Sequence, residues 1–108
     1  MTDRIAEAFE RQKKQGKKAL ITFITAGDPN LETTERLVLA MEKSGANLIE
    51  LGIPFSDPVA EGPVIQQADL RALKNGICTD DVFDAVAKIR EKTQIPLVFM
   101  VYVNCIFV

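Results

Sequence analysis

Residues 46–66, ANLIELGIPFSDPVAEGPVIQ, pass from a short apolar run through a Gly/Pro-punctuated loop into the start of a helix. The run 46–52 is too short for a helix, and its Leu/Ile content suits a strand buried on both faces. Upstream, 19–27 (ALITFITAG) has the same character, and between the two lies a helical pattern over 31–44 with Leu37, Val38, Ala40 and Met41 on one face. Gly45 ends that helix, and Pro29 suits its first turn. Outward again, 2–15 repeat apolar positions at helical spacing (Ile5, Ala6, Ala8, Phe9), with Thr2 as the expected N-cap and Gly16 as the stop. Downstream, a helix from about Pro63 to Lys74 stops at Asn75-Gly76. Thr79 is expected to cap a helix over 80–92, and 97–103 supplies a third strand. The order α-β-α-β-α-α-β predicts an α/β fold, with parallel strands joined by helical crossovers.

Composition restricts the function classes. The 108 residues are 47% hydrophobic and 26% charged with net charge −2, which fits a globular chain with one core and no boundary within 1–108. The mild acidity argues against nucleic acid as a partner. The basic group Arg11, Lys13, Lys14, Lys17 and Lys18 reads as the solvated end of the first helix; the alternative, a phosphate or RNA patch, lacks interleaved aromatics. Absence of histidine excludes His-based metal sites and Ser-His or Cys-His pairs, and Cys78 and Cys105 match no metal or redox spacing. No apolar run approaches the roughly 20 residues of a membrane helix, and the charged N-terminus has no signal-type apolar core. The default setting is a reducing cytoplasm with free thiols.

In parallel α/β folds ligands bind at the carboxyl ends of strands. Three segments gather there: Thr25-Ala26-Gly27-Asp28, Glu50 with its loop, and Tyr102 with the residues after it. Strand alternation puts Leu48 and Glu50 on one side, Ile49 and Leu51 on the other, so Glu50 is expected between apolar surfaces where desolvation favours a protonated acid. A strand-end carboxylate paired with Lys or Arg is the other reading. Glu61 precedes Gly62-Pro63, at or just before a helix N-terminus. There it serves either as an ionised acceptor for a ligand N–H or O–H, or as a simple cap. Asp28 and Asp57 read as capping and turn residues. Phe23, Ile65 and Met100 are core by pattern alone, and Tyr102 is core or ligand-facing. No phosphate-binding glycine loop is present.

The segments LITFITAGDP (20–29), ELGIPFSDPVAEGPVIQ (50–66), ADLRAL (68–73) and YVNCIF (102–107) resemble the tryptophan synthase alpha chain family, from near the start of the chain to its end. The resemblance implies the N-terminal part of a TIM-type (β/α)8 barrel in the cytoplasm. It implies a lyase of tryptophan biosynthesis, cleaving indole-3-glycerol phosphate by a retro-aldol step to indole and glyceraldehyde 3-phosphate. Glu50 matches the family's acid/base glutamate. Glu61 falls at its second catalytic acid, usually aspartate, so the charge is kept with a longer reach. Phe23, Ile65, Met100 and Tyr102 match indole-lining positions, and residues 54–58 match the segment facing a beta chain. The implied assembly is an alpha2-beta2 heterotetramer in which pyridoxal phosphate belongs to the beta chain and the alpha chain needs no cofactor.

A full (β/α)8 barrel takes about 250 residues, whereas this sequence supplies three strands. The expectation is therefore a truncated or fragmentary protein with little activity alone, its fold interrupted at the strand-like end CIFV and its strand edges unpaired. Two further readings follow from those edges: a non-catalytic module that associates with a beta-type partner, and a partial barrel that self-associates.

Overall fold

Each helix starts and stops where the local chemistry requires it. The computed structural model describes residues 3–55 and 62–102. Its elements are α1 (Arg4–Lys14), β1 (Ile21–Thr25), α2 (Leu31–Lys43), β2 (Leu48–Gly52), α3 (Pro63–Lys74), α4 (Thr79–Arg90) and β3 (Leu97–Met100). The α-β-α-β-α-α-β order is the one the sequence predicts. The caps differ from expectation at three helices. Asp3, not Thr2, caps α1, its carboxylate accepting from the Ile5 and Ala6 N–H groups. Asn30 caps α2 by accepting from the Thr33 N–H, so Pro29 lies before the helix rather than in its first turn. Cys78 occupies the N-cap of α4 and Thr79 is already its first helical residue.

At α4 the cap is made by Asp81, whose carboxylate accepts from the Cys78 backbone N–H at 3.0 Å and from its thiol at 3.1 Å. These two bonds, the backbone one first, hold the Asp81 carboxyl below the ordinary aspartate range. The basic residues Arg11, Lys13 and Lys14 fill the last turn of α1, where they complement the helix dipole.

The three strands form one parallel sheet in the order β1-β2-β3. The central strand β2 alone approaches the expected burial on both faces. Ile49 and Leu51 are fully buried on the helix side, and Leu48 and Gly52 are buried on the other. β1 and β3 are shorter than the predicted 19–27 and 97–103, and they are more exposed: Ile21 is 46% and Met100 48% accessible. Each is paired along one edge only among the described residues.

The main core lies between sheet and helices: Val38, Ala46, Ile49, Leu51, Ile89 and Ile95, with Ile24, Met41, Val86, Leu97 and Phe99 packed against it. A second cluster, Ala26, Ile53 and Val82, sits toward the carboxyl ends of the strands, and Phe99 joins the two. Polar contacts fasten the opposite end. Asn47 and Leu20 exchange two hydrogen bonds at 2.8 Å, bringing β1 to β2 in register. The Thr93 hydroxyl donates to Glu42 at 2.7 Å while accepting from the Ile95 N–H, and Arg90 donates to the Thr93 and Ile95 carbonyls. The turn after α4 is thereby fixed to the end of α2. No described helix is long and apolar enough to cross a membrane.

Ile49→Ala should destabilise the chain by about 2–5 kcal/mol, since the site is fully enclosed; urea unfolding followed by circular dichroism reads this directly. The Asp81 contribution is present above its unfolded pKa, near 4, and disappears as pH falls through the lower folded value. The urea midpoint should therefore drop less steeply between about pH 5 and pH 2 in Asp81→Asn than in wild type.

Candidate active site

The register of the sheet decides which side chains share a surface. Phe23, Glu50 and Val98 are aligned across β1, β2 and β3, and Thr25, Gly52 and Met100 form the next row toward the carboxyl ends. Paired residues of adjacent parallel strands project to the same side, and alternation sends the intervening Ile24, Leu51 and Phe99 into the core beneath the helices. Glu50 thus stands on the face away from the helices, flanked by Phe23 and Val98, with Met100 one row above. Phe23, Glu50 and Met100 share this face of the sheet.

Glu50 is half-buried rather than enclosed between apolar surfaces, because the face on which it stands is only partly covered by described residues. Its carboxylate makes no hydrogen bond or ion pair among the described residues. The ion pairs Arg71–Asp28 and Lys92–Glu35 do not include it. The reading of Glu50 as a structural strand-end carboxylate held by Lys or Arg therefore has no partner to support it here. In the upper row the Thr25 hydroxyl is buried and lacks a hydrogen-bond partner among the described residues, and so does the Thr22 hydroxyl on the helix side.

The loop after β1 is held by α2 and α3. The Ala26 N–H extends the β1–β2 ladder by donating to the Gly52 carbonyl at 2.9 Å, and the Gly27 N–H donates to the buried Thr34 hydroxyl at 2.9 Å. Asp28 does not cap a helix as expected. Both its oxygens accept from Arg71 of α3, at 2.8 and 2.9 Å, which explains the raised pKa of that guanidinium. Asn75 adds a bond to the Pro29 carbonyl across the cis Asp28-Pro29 peptide. Gly27 has φ +86°, and a Cβ there would lie 3.0 Å from Ile77 Cγ1. The conformation and the close approach of Ile77, in the turn between α3 and α4, both require glycine.

The other sequence candidates divide. Tyr102 is half-buried and its ring stacks on Phe55 with centroids 4.8 Å apart, linking the segment after β3 to the start of the loop after β2. Ile65 is half-buried in the first turn of α3. Glu61, Asp57, Cys105 and residues 56–58 of the loop expected to face a partner lie outside the described residues. α3 begins at Pro63 with Gly62 as its N-cap at φ 81°. Among the described residues no group of His, Cys, Asp and Glu is arranged to hold a metal. Sequence reading placed Thr25 at the strand ends without assigning it to this face, and it missed Val98 and Gly52. A glycine inside a strand was the one available signal, since it marks a bulge or a close approach.

Parallel strands joined by helices, with Glu50 and Phe23 on the face away from those helices, have the arrangement of a (β/α) barrel segment. A profile of the tryptophan synthase alpha chain family matches residues 9–108. The alpha chain of Alkaliphilus metalliredigens is 61% identical over 107 residues, covering 99% of this chain and 40% of that protein. The solved alpha subunit of Legionella pneumophila str. Paris superposes with a TM-score of 0.94 at 46% identity, covering 99% of this chain and 41% of that one. A structure of the tryptophan synthase α2β2 complex from the hyperthermophile Pyrococcus furiosus matches with a TM-score of 0.79 at 45% identity, over 82% of this chain and 36% of that one. The chain belongs to the tryptophan synthase alpha chain family, and its three strands correspond to the N-terminal part of that family's barrel. It spans about 40% of the length of the curated relatives it matches.

Gly27→Ala should cost about 1–3 kcal/mol, from a positive φ and from contact with Ile77. Chemical unfolding measures the loss, and in an Ile77→Ala background, where both γ carbons are gone, Gly27→Ala should cost less.

Proposed function

We propose that this chain supplies the acid/base half of a lyase site that cleaves indole-3-glycerol phosphate to indole and glyceraldehyde 3-phosphate. The observation that carries the reading is Glu50: a half-buried carboxylate without an ion-pair partner among the described residues, aligned with Phe23 and one row below Met100. Family membership supplies the reaction. In the retro-aldol step Glu50 delivers a proton to the ring carbon bearing the glycerol chain, and the bond from that carbon to the side chain breaks. Its electrons restore the aromatic ring. The side-chain hydroxyl loses its proton to the Glu50 carboxylate as the aldehyde forms, so the acid is regenerated.

Glu61 is assigned to the ring N–H, where its negative charge opposes the positive charge that protonation creates. The aspartate usual there is shorter by one methylene, so Glu61→Asp is expected to preserve or raise activity. Phe23, Ile65, Met100 and Tyr102 are assigned to the indole ring. The phosphate falls to residues outside the three-strand segment, since no phosphate-binding loop occurs in it. A beta-type chain is the proposed partner, with residues 54–58 toward it in an alpha2-beta2 assembly. Pyridoxal phosphate is assigned to that partner and no cofactor to this chain, and the cytoplasm is the proposed location.

The test is a chimera in which this chain replaces the aligned part of the 61%-identical relative. It should release indole from indole-3-glycerol phosphate, and Glu50→Gln should lower the rate about 100-fold or more, as expected for removal of a general acid. Unchanged indole release by the Glu50→Gln chimera would exclude the assignment.

A further inference from the structure

We infer that Gly52 is a positioning residue: the absence of a side chain there seats the Phe23 ring beside Glu50 and so sets how an indole-sized ring is accepted. This rests on the function proposed above. Gly52 lies in extended strand and is not among the glycines with positive φ, so its backbone does not require glycine. The reason is steric. A Cβ at position 52 would lie 2.7 Å from Phe23 Cζ and 3.1 Å from Cε2; the next nearest atom, the Ile24 carbonyl oxygen, is at 3.7 Å.

Phe23 is aligned with Glu50, one row below Gly52. Its ring therefore runs from its own row into the next, filling the gap between Thr25 and Met100 that a residue with a side chain would close. Even a methyl group there must push the far edge of the ring away, and phenylalanine has no flexible end that could yield. The displaced ring would move on the surface that carries Glu50. At this position glycine acts on ligand geometry through Phe23, without being a ligand contact itself.

The experiment uses the 108-residue chain and indole as probe, with affinities taken from NMR titration of wild type, Gly52→Ala, Phe23→Leu and the double variant. Gly52→Ala should weaken indole binding about tenfold and shift the Phe23 ring resonances, in line with the usual cost of over-packing. Leucine lacks the Cε and Cζ atoms that meet the added methyl, so in the Phe23→Leu background Gly52→Ala should change little in either affinity or thermal midpoint. A residue that served packing alone would lower the thermal midpoint while leaving the affinity of the folded protein unchanged, and that result overturns the inference. Equal losses in both backgrounds overturn it too. If Gly52→Ala does not fold, recovery of folding in the double variant supports the seat, and failure of both refutes it. Absence of indole binding by wild type would overturn the functional reading and this inference with it, whereas binding with unchanged affinity in Gly52→Ala overturns the inference alone.

Discussion

Everything on the candidate site face depends on the burial of Ile49 and Leu51 in the central strand. Both are fully enclosed between the sheet and the helices. The side-chain period of a strand is two, so fixing these residues inward fixes Leu48, Glu50 and Gly52 outward. A shift of one residue would bury the Glu50 carboxylate among Val38, Ile89 and Ile95 and expose two large aliphatic side chains. Register is further held by the paired hydrogen bonds of Asn47 with Leu20 at one end and the Ala26–Gly52 bond at the other. The Glu50 carboxylate is thus presented by the core, and the same packing that stabilises the fold sets its direction.

Around that strand the fastening is uneven. At the amino ends of the strands, Thr93, Glu42 and Arg90 tie the end of α4 to α2 through side-chain and carbonyl bonds. At the carboxyl ends the loop after β1 is bound by Thr34 from α2 and by Arg71 and Asn75 from α3. The Asp28–Arg71 pair is bidentate, but the arginine side chain is 56% exposed, so solvent screens it and its contribution to stability is modest. Its larger effect is geometric, because it joins the end of β1 to the helix that follows Glu61.

The alternation of strands and helices was legible because each element carries its own period and its own stop. Leu37, Val38, Ala40 and Met41 mark one helix face, and Gly16, Gly45 and Asn75-Gly76 mark ends that the structure keeps. Caps were less legible. At α1, α2 and α4 several adjacent polar residues could serve, and the choice among Thr2 and Asp3, or Cys78 and Thr79, depends on where the first turn falls. The expected double-sided burial of β1 and β3 also failed, because an apolar run records what a strand can bury and not which neighbours lie over it.

The family was contained in local sequence. ELGIPFSDP and GPVIQ are contiguous, and the alternation around Glu50 needs only neighbours two residues away. Other features arise between residues distant along the chain: Asp28 on Arg71, Tyr102 on Phe55, and the Phe23 ring over Gly52. Asp28 read locally is a cap, and Gly52 read locally is a weak point in a strand. Only the packing of α3 against the loop after β1, and the alignment of β1 with β2, gives each its partner. Contacts of this kind are set by how the elements pack together, which no short stretch of the chain records.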